Sequence, residues 1–173
     1  MSVEAEVKAY WMGSEKQLKD LGATYISTVT QSDTYYRHPC RDFKKTDEAF
    51  RIRDQDGHLF ITYKGPKLDE ETKSRIEYEH PVTKEFEKII LALGFEKAGT
   101  VAKQRKTYLF QDIKICIDSV ECLGGFIELE SNTLDDREKM FRILEKLGIS
   151  KKDTIRESYL ELLEGKKNAE SGK

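Results

Sequence analysis

The sequence predicts an α+β fold: eight antiparallel strands that close into a β-barrel, or tunnel, with a polar, charged interior and flanking helices. Strand-like segments outnumber helical ones, most are joined by short turns, and each has one apolar and one ionic face. Such hairpin-linked strands with a few helices are typical of antiparallel α+β domains. Eight strands are more than a small open sheet comfortably holds, so closure into a barrel is favoured.

The first strand is predicted around the segment E-A-E-V-K, residues 4–8. As a strand, this segment places Glu4, Glu6 and Lys8 on one face and small apolar side chains on the other. In a helix, Glu4 and Glu6 would point about 200° apart. The regular alternation is therefore better explained by a strand.

The remaining elements follow from the turn residues and from the period of the apolar positions. Runs rich in β-branched and aromatic residues, separated by turns such as D-Q-D-G, predict strands. Apolar residues every three or four positions, ending at a glycine, predict helices. The further strands are predicted at residues 23–36, 48–53, 58–64, 72–80, 101–110, 112–120 and 125–132. The helices are predicted at residues 15–21, 83–94, 134–148 and 158–164.

Length and composition indicate one domain at residues 1–165, followed by a disordered tail at 166–173. The 30 basic and 32 acidic residues give a net charge of −2, which argues against a chain-wide basic field for nucleic acid. No apolar run approaches the ~20 residues that span a bilayer, and no signal-peptide pattern is present. The cysteines form no C-x-x-C pair, so a zinc site is not expected. We therefore expect a cytoplasmic protein with no membrane partner.

The ionic face of each strand carries the main evidence for function. Several strands carry doublets of one sign on that face, namely Arg51 with Arg53, Glu77 with Glu79, Lys103 with Arg105, and Glu128 with Glu130. Taken strand by strand, a sheet that shows these charges to water is the simpler interpretation. Neighbouring like charges repel unless opposite charges lie between them. If helices cover the apolar faces outside, closure turns the ionic faces inward and forms a polar tunnel.

Such a tunnel would suit a metal ion and a polyphosphate. Glutamates two apart on a strand have Cα atoms ~7 Å apart, so their side chains can converge on a cation. Sites made only of carboxylates suit Mg²⁺ or Mn²⁺, which also bind phosphate oxygens. Arginine and lysine side chains facing these carboxylates would hold the polyanion. The residues alone therefore predict a metal–polyphosphate site.

The motifs of the chain also resemble those of a known family. E-A-E-V-K at residues 4–8 resembles the E-x-E-x-K signature of the CYTH, or triphosphate tunnel metalloenzyme, superfamily. The segments Q-S-D-T-Y-Y-R-H-P-C-R-D-F and T-D-E-A-F-R-I-R are similar to the class IV adenylyl cyclase branch. The motifs I-T-Y-K-G-P, S-R-I-E-Y-E and D-S-V-E-C-L-G-G-F-I-E-L-E follow in the family's order. The resemblance implies an eight-stranded antiparallel tunnel that holds a triphosphate and a divalent metal ion.

The resemblance also implies roles for individual residues. The implied ligands of Mg²⁺ or Mn²⁺ are Glu4, Glu6, Glu128 and Glu130, with Asp118 as a helper. The implied triphosphate-binding residues are Lys8, Arg51, Arg53, Lys64, Arg75, Lys103 and Arg105. Lys8 and Arg53 are also expected to act in catalysis, with Tyr35 as a candidate near the reacting phosphate. The pair Glu77 and Glu79 could contact metal, water or a base, or balance the charge of Arg75.

Three functions are consistent with these residues. The first is an adenylyl cyclase that converts ATP to cyclic AMP and pyrophosphate, and the loop with His38, Pro39 and Phe43 favours it by its resemblance to the cyclase branch. The second is a triphosphatase acting on tripolyphosphate, thiamine triphosphate or nucleotides. The third is a non-catalytic module that binds polyphosphate or nucleotides, which complete acidic and basic sets make the least favoured. The expected partner is a small-molecule triphosphate, and homodimer formation is left open.

Overall fold

The computed structural model describes residues 2–68 and 74–172. Its strands are β1 (Ser2–Tyr10), β2 (Thr24–Arg37), β3 (Ala49–Gln55), β4 (His58–Lys67), β5 (Arg75–Val82), β6 (Glu96–Phe110), β7 (Ile113–Val120), β8 (Gly124–Ser131) and β9 (Thr154–Ile155). Its α-helices are α1 (Glu15–Leu21), α2 (Glu85–Ala92), α3 (Arg137–Lys146) and α4 (Tyr159–Ser171). Met1, residues 72–73 of the predicted fifth strand and Lys173 of the predicted tail lie outside the described residues.

Eight of these strands form a closed antiparallel barrel. Their order is β5-β4-β3-β2-β6-β7-β8-β1, and β1 returns to pair with β5 through Ser2–Glu4 and Arg75–Glu77. The short strand β9, which the sequence pattern did not predict, pairs with β1 at Lys8 and Ala9. The predicted α+β class and the predicted barrel are confirmed.

The outer face of the barrel carries the apolar half of each strand. Ala5, Val7 and Ala9 of β1 are buried with apolar residues of β7 and β8 beneath helix α3. Helix α3 contributes Met140 and Leu144, whose i, i+4 spacing puts them on one side of the helix. Burying a side chain of this size stabilises the fold by about 1.5–3 kcal/mol. This outer packing requires the charged halves of the same strands to face inward.

One end of the barrel interior is closed by an apolar cluster. Val101, Val120 and Phe126 point inward there and pack with Tyr159, the first residue of α4. Helix α4 begins at a capping box in which the Ser158 side chain accepts a hydrogen bond from the backbone N–H of Glu161. This end of the interior is therefore apolar on the side of β6, β7 and β8.

Helix α4 extends into the segment that was predicted to be a disordered tail. Disorder was expected from residue 166, whereas the helix continues to Ser171. Gly165 lowers helix propensity at one position, but the following K-K-N-A-E includes alanine, glutamate and lysine, which favour helix. In the part of the chain that the structure describes, no helix is both long and apolar enough to cross a membrane.

Candidate functional site

The barrel interior contains a cavity of about 320 Å³ lined mainly by charged side chains. The basic residues that line it in the described chain are Lys8, Arg51, Arg53, Lys64, Arg75, Lys103, Arg105 and Lys114. The acidic ones are Glu4, Glu6, Glu77, Glu79, Glu128 and Glu130. Tyr35 also lines the cavity. Of the residues predicted for the site, all but Asp118 are in this lining, which we name the tunnel cavity.

Two arginines of β3 are held by a buried aspartate of β2. Asp33 is 2% exposed, and its carboxylate accepts hydrogen bonds from Arg51 Nη1 at 3.0 Å and from Arg53 Nε at 2.7 Å. Burial alone would raise the pKa of Asp33, but Arg51 and Arg53 hold it well below its usual range. Asp33 therefore stays charged and fixes both guanidinium groups. The sequence pattern missed it, although it shares the parity of Tyr35 on β2.

A second buried aspartate organises the basic residues of β6. Asp118 accepts hydrogen bonds at 2.7 Å from Lys103 Nζ and from Arg105 Nε. The Tyr159 hydroxyl donates to the same carboxylate at 2.9 Å. Burial alone would raise the pKa of Asp118, but Arg105 and Lys103 lower it. Asp118 is fully buried behind the tunnel cavity, where it positions the basic side chains; its role as a metal helper stays a prediction.

The glutamates of the tunnel cavity are joined to its basic residues. Arg105 Nη1 donates to Glu130 at 2.6 Å, and Arg105 also donates to Glu128. On the opposite wall, Lys64 Nζ lies 2.8 Å from Glu4 and 2.7 Å from Glu77. Opposite charges thus alternate around the interior, as the like-charge doublets of the sequence require.

The walls also contain polar groups close to the charged set. Thr62 donates to Glu79 at 2.9 Å, and the Tyr35 hydroxyl lies beside the Arg51 guanidinium. Lys8 Nζ donates to the backbone carbonyl of Glu157 and lies 4.2 Å from the ring centre of Tyr159. Tyr159 of the apolar end cluster is therefore in direct contact with a basic side chain of the tunnel cavity.

The donor chemistry of the cavity fits a hard divalent cation. Glu6 and Glu130 lie directly opposite each other on β1 and β8, where like charges destabilise a sheet. Burial raises the pKa of Glu130; Arg105 opposes this rise, whereas Glu4, Glu128 and Glu6 add to it. Burial likewise raises the pKa of Glu4. Clustered carboxylates whose ionisation is opposed by their surroundings gain from an oxygen-binding cation such as Mg²⁺ or Mn²⁺.

The carboxylates of the tunnel cavity do not converge on a common point. Over residues 2–68 and 74–172, no group of three His, Cys, Asp or Glu side chains is arranged to hold a metal ion. Glu128 and Glu130 bind Arg105, and Glu4 binds Lys64. Metal binding would therefore require these side chains to change ion-pair partners within the cavity.

The tunnel cavity is also lined by polar residues of β6 and β7 that the sequence interpretation did not assign. Lys114 and Cys116 of β7 and Thr107 of β6 line the tunnel cavity. Lys114 and Cys116 share the parity of Asp118, so strand alternation could have indicated them. Burial raises the pKa of the Cys116 thiol, which keeps it neutral.

Comparison with known proteins places the chain in a family. The family model for the CYTH domain matches residues 2–159. A protein of Methanocaldococcus jannaschii, whose name provisionally makes it an adenylate cyclase, is 43% identical over 171 residues. This match covers 92% of the chain and 98% of that protein.

Solved structures show the same architecture. The PH1819 protein of Pyrococcus horikoshii has a TM-score of 0.82 at 37% identity, covering 94% of this chain and 99% of that one. A protein of Hippeastrum, HpAC1, has a TM-score of 0.63 at 16% identity, covering 86% and 89%. It is described as a provisional adenylyl cyclase with a dominant triphosphatase activity. At this identity the likeness shows the fold alone.

Proposed function

The chain belongs to the CYTH domain family, and on that premise we propose that it is a divalent-metal-dependent adenylyl cyclase that holds the triphosphate of ATP in the tunnel cavity. The reaction joins the ribose 3′-oxygen to the α-phosphorus. The bond from that phosphorus to pyrophosphate breaks, and the 3′-hydroxyl loses its proton.

One observation carries this proposal: a single cavity is lined by eight basic and six acidic side chains of the described residues. Full ionisation gives this lining two positive charges in excess, which the buried carboxylates of Asp33 and Asp118 cancel, so one divalent cation leaves an excess of two. A triphosphate ester carries about four negative charges, about two on its terminal phosphate and about one on each of the other two phosphates. The cavity together with one divalent cation would therefore offset about half of the charge of the substrate.

The acidic residues would supply the metal site. Glu4, Glu6, Glu128 and Glu130 would hold Mg²⁺ or Mn²⁺, which lowers the pKa of a coordinated hydroxyl and neutralises phosphate charge. The ion pairs of Arg105 and Lys64 with these glutamates would loosen as the cation takes the carboxylates.

The basic residues would hold and orient the phosphates. Arg51 and Arg53, fixed by Asp33, present two planar guanidinium groups to the phosphate oxygens. Lys8, Lys103 and Arg105 line the same cavity, where their charge would stabilise the leaving pyrophosphate. Since Asp33 and Asp118 hold four of these five groups in place before binding, little reorganisation of those four is needed during the reaction.

Product analysis tests the reaction. The protein is incubated with Mg²⁺ or Mn²⁺ and either ATP or tripolyphosphate, and the products are resolved by phosphorus NMR. We expect cyclic AMP and pyrophosphate from ATP. Orthophosphate from either substrate would instead assign a triphosphatase that uses the same residues with water as the nucleophile. Tight binding without turnover would indicate a binding module.

Two variants test the assignment of the site. Glu6→Ala should abolish the metal-dependent turnover, because it removes one carboxylate of the proposed metal site. Arg53→Ala should weaken triphosphate binding, because it removes one of the two fixed guanidinium groups. Unchanged metal dependence in the first variant, or unchanged affinity in the second, would contradict these roles.

A further inference from the structure

A second cavity of about 730 Å³ lies at the rim of the barrel, next to the tunnel cavity. One wall is the loop between β2 and β3, with His38, Cys40 and Phe43, and the other is the first half of α4, with Leu160. We name this cavity the rim pocket. Its size lies within the ~300–1,000 Å³ of pockets that enclose small organic ligands.

The rim pocket adjoins the tunnel cavity. The two share four lining residues: Tyr35, Ala49, Arg75 and Ser158. At this junction Lys67 Nζ and Arg75 Nη2 lie 2.6 and 3.7 Å from Asp47. A ligand in the tunnel cavity can therefore extend into the rim pocket past Tyr35 and Arg75.

The loop wall is built by its own contacts. The Asp42 side chain accepts a hydrogen bond from the backbone N–H of Lys44 at 3.1 Å, and Arg41 pairs with Glu48 at 2.9 Å. The His38 ring lies 5.7 Å from Phe43 and 5.1 Å from Phe95, between ring centres. These contacts hold a partly exposed aromatic surface beside the pocket. Across the rim pocket, Lys44 Nζ of the loop lies 3.5 Å from Glu164 Oε2 of α4.

The two cavities differ in chemistry. The tunnel cavity is lined by charges that suit phosphates. The rim pocket adds aromatic and aliphatic side chains, among them Tyr36, Phe43, Phe50 and Leu160. Inorganic polyphosphate has no group that would gain from such a surface, whereas a flat organic ring would stack on it.

We propose that the rim pocket binds the nucleoside of a nucleoside triphosphate, with the base stacked against the aromatic loop wall at His38 and Phe43. This inference rests on the proposed function, because the phosphates must occupy the tunnel cavity. It makes the loop between β2 and β3 a determinant of substrate choice. It also places the α-phosphate at the junction, near Tyr35 and Arg75.

Calorimetry with two probes tests the inference. The probes are the non-cleavable methylene analogues of ATP and of tripolyphosphate, each titrated in the presence of Mg²⁺. The wild-type protein should bind the ATP analogue at least about tenfold more tightly, since stacking of a base on an aromatic ring contributes on that order. Phe43→Ala should weaken the ATP analogue about tenfold and leave the tripolyphosphate analogue unchanged. The control Tyr25→Ala, which removes a ring 53% exposed at the other end of β2, should change neither affinity.

A second measurement needs no variant. Cys40 lines the rim pocket and is exposed, and Cys122, in the turn between β7 and β8, is an exposed internal control. The ATP analogue should slow the alkylation of Cys40 by N-ethylmaleimide, and the tripolyphosphate analogue should not. Neither probe should change the alkylation of Cys122.

The outcomes separate the inference from the proposed function. Equal affinity of the wild-type protein for both probes, or an equal loss for both in Phe43→Ala, would overturn the nucleoside pocket and leave the triphosphate tunnel intact. Protection of Cys40 by both probes would do the same. Binding of neither probe would overturn the tunnel assignment and the inference with it.

Discussion

At the scale of single residues, two buried aspartates hold four of the eight basic side chains that line the tunnel cavity in the described residues. Asp33 holds Arg51 and Arg53, and Asp118 holds Lys103 and Arg105. Each aspartate lies behind the side chains that face the cavity. The binding groups are therefore fixed in direction before any phosphate arrives, which lowers the entropy lost on binding.

We predict that Asp33→Asn destabilises the protein by about 3 kcal/mol at pH 7, because it leaves two buried guanidinium groups without their counter-charge. The pKa of Asp33 is lower in the folded state than its ordinary value of 3.8. Its contribution is therefore complete above that value and is lost as the pH falls toward the folded-state pKa. By linkage, the difference between wild type and variant should shrink by about 1 kcal/mol between pH 7 and pH 3.

Urea denaturation at both pH values measures this difference. The control is Asp20→Asn on the exposed side of α1, which should stay within about 0.5 kcal/mol of wild type. A difference for Asp33→Asn that does not change with pH would argue that shape, and not charge, makes Asp33 important.

Strand parity identified most of the lining residues but not those behind them. Glu4, Arg51 and Glu128 were predicted because alternation places them on the ionic face. Asp33 lies in a strand with uncharged neighbours, so no doublet marked it. Tyr159 belongs to a helix, and its position over Lys8 depends on how that helix docks. Contacts between distant elements leave no local pattern in the sequence.

At the scale of elements, the pairing of β1 with β8 concentrates negative charge. The register sets Glu6 opposite Glu130 and Lys8 opposite Glu128. Directly opposed carboxylates repel, and Arg105 compensates for Glu130 from β6. The strand pair therefore favours a bound cation more than either strand would alone.

We predict that Mg²⁺ without nucleotide stabilises the wild-type protein, by about 2.7 kcal/mol at one hundred times its dissociation constant. Glu130→Gln should raise the Mg²⁺ concentration needed for the same stabilisation at least about tenfold, because it removes a carboxylate from the cluster. Thermal melting over a series of Mg²⁺ concentrations measures both. Glu121→Gln, in the exposed turn between β7 and β8, should behave as wild type. An equal Mg²⁺ response in Glu130→Gln would exclude Glu130 from the metal site.

Element boundaries were predicted least well where tertiary contacts extend an element. Strand β6 begins at Glu96, five residues before its predicted start, because β2 pairs with it as far as Arg37. Helix α4 extends to Ser171, beyond its predicted end at 164. Neither extension could be predicted from the spacing of apolar residues, because the residues added to β6 and to α4 are largely exposed.

At the scale of the whole molecule, the barrel closes through a short pairing of β1 with β5, which we name the seam. Among the described residues, β1 meets β5 only through Ser2–Glu4 and Arg75–Glu77, whereas β2 pairs with β6 from Thr24 to Arg37. Closure itself could be predicted from the number of strands and their ionic faces. The register of the seam could not, because it depends on the tilt and stagger of all eight strands together.

Lys64 joins the two sides of this seam. It lies on β4 and contacts Glu4 of β1 at 2.8 Å and Glu77 of β5 at 2.7 Å. Burial would lower the pKa of Lys64, but Glu4 and Glu77 raise it, so the ammonium group remains charged between them. Without that charge, Glu4 and Glu77, which lie diagonally across the pairing of β1 with β5, would be left side by side.

We therefore predict that the backbone amides of residues 2–4 and 75–77 exchange with solvent faster than those between β2 and β6, because short pairings open at lower free energy. Lys64→Met should accelerate exchange at the seam about tenfold further, which corresponds to ~1.4 kcal/mol, while leaving β2 and β6 unchanged. Lys106→Met, which removes an exposed lysine paired with Glu15, is the matched control. Hydrogen exchange read by mass spectrometry resolves these segments. Uniform acceleration of exchange in Lys64→Met would mean that Lys64 supports the whole barrel. Equal protection of the β1–β5 amides and the β2–β6 amides in the wild type would mean that the closure is as strong as the rest of the sheet.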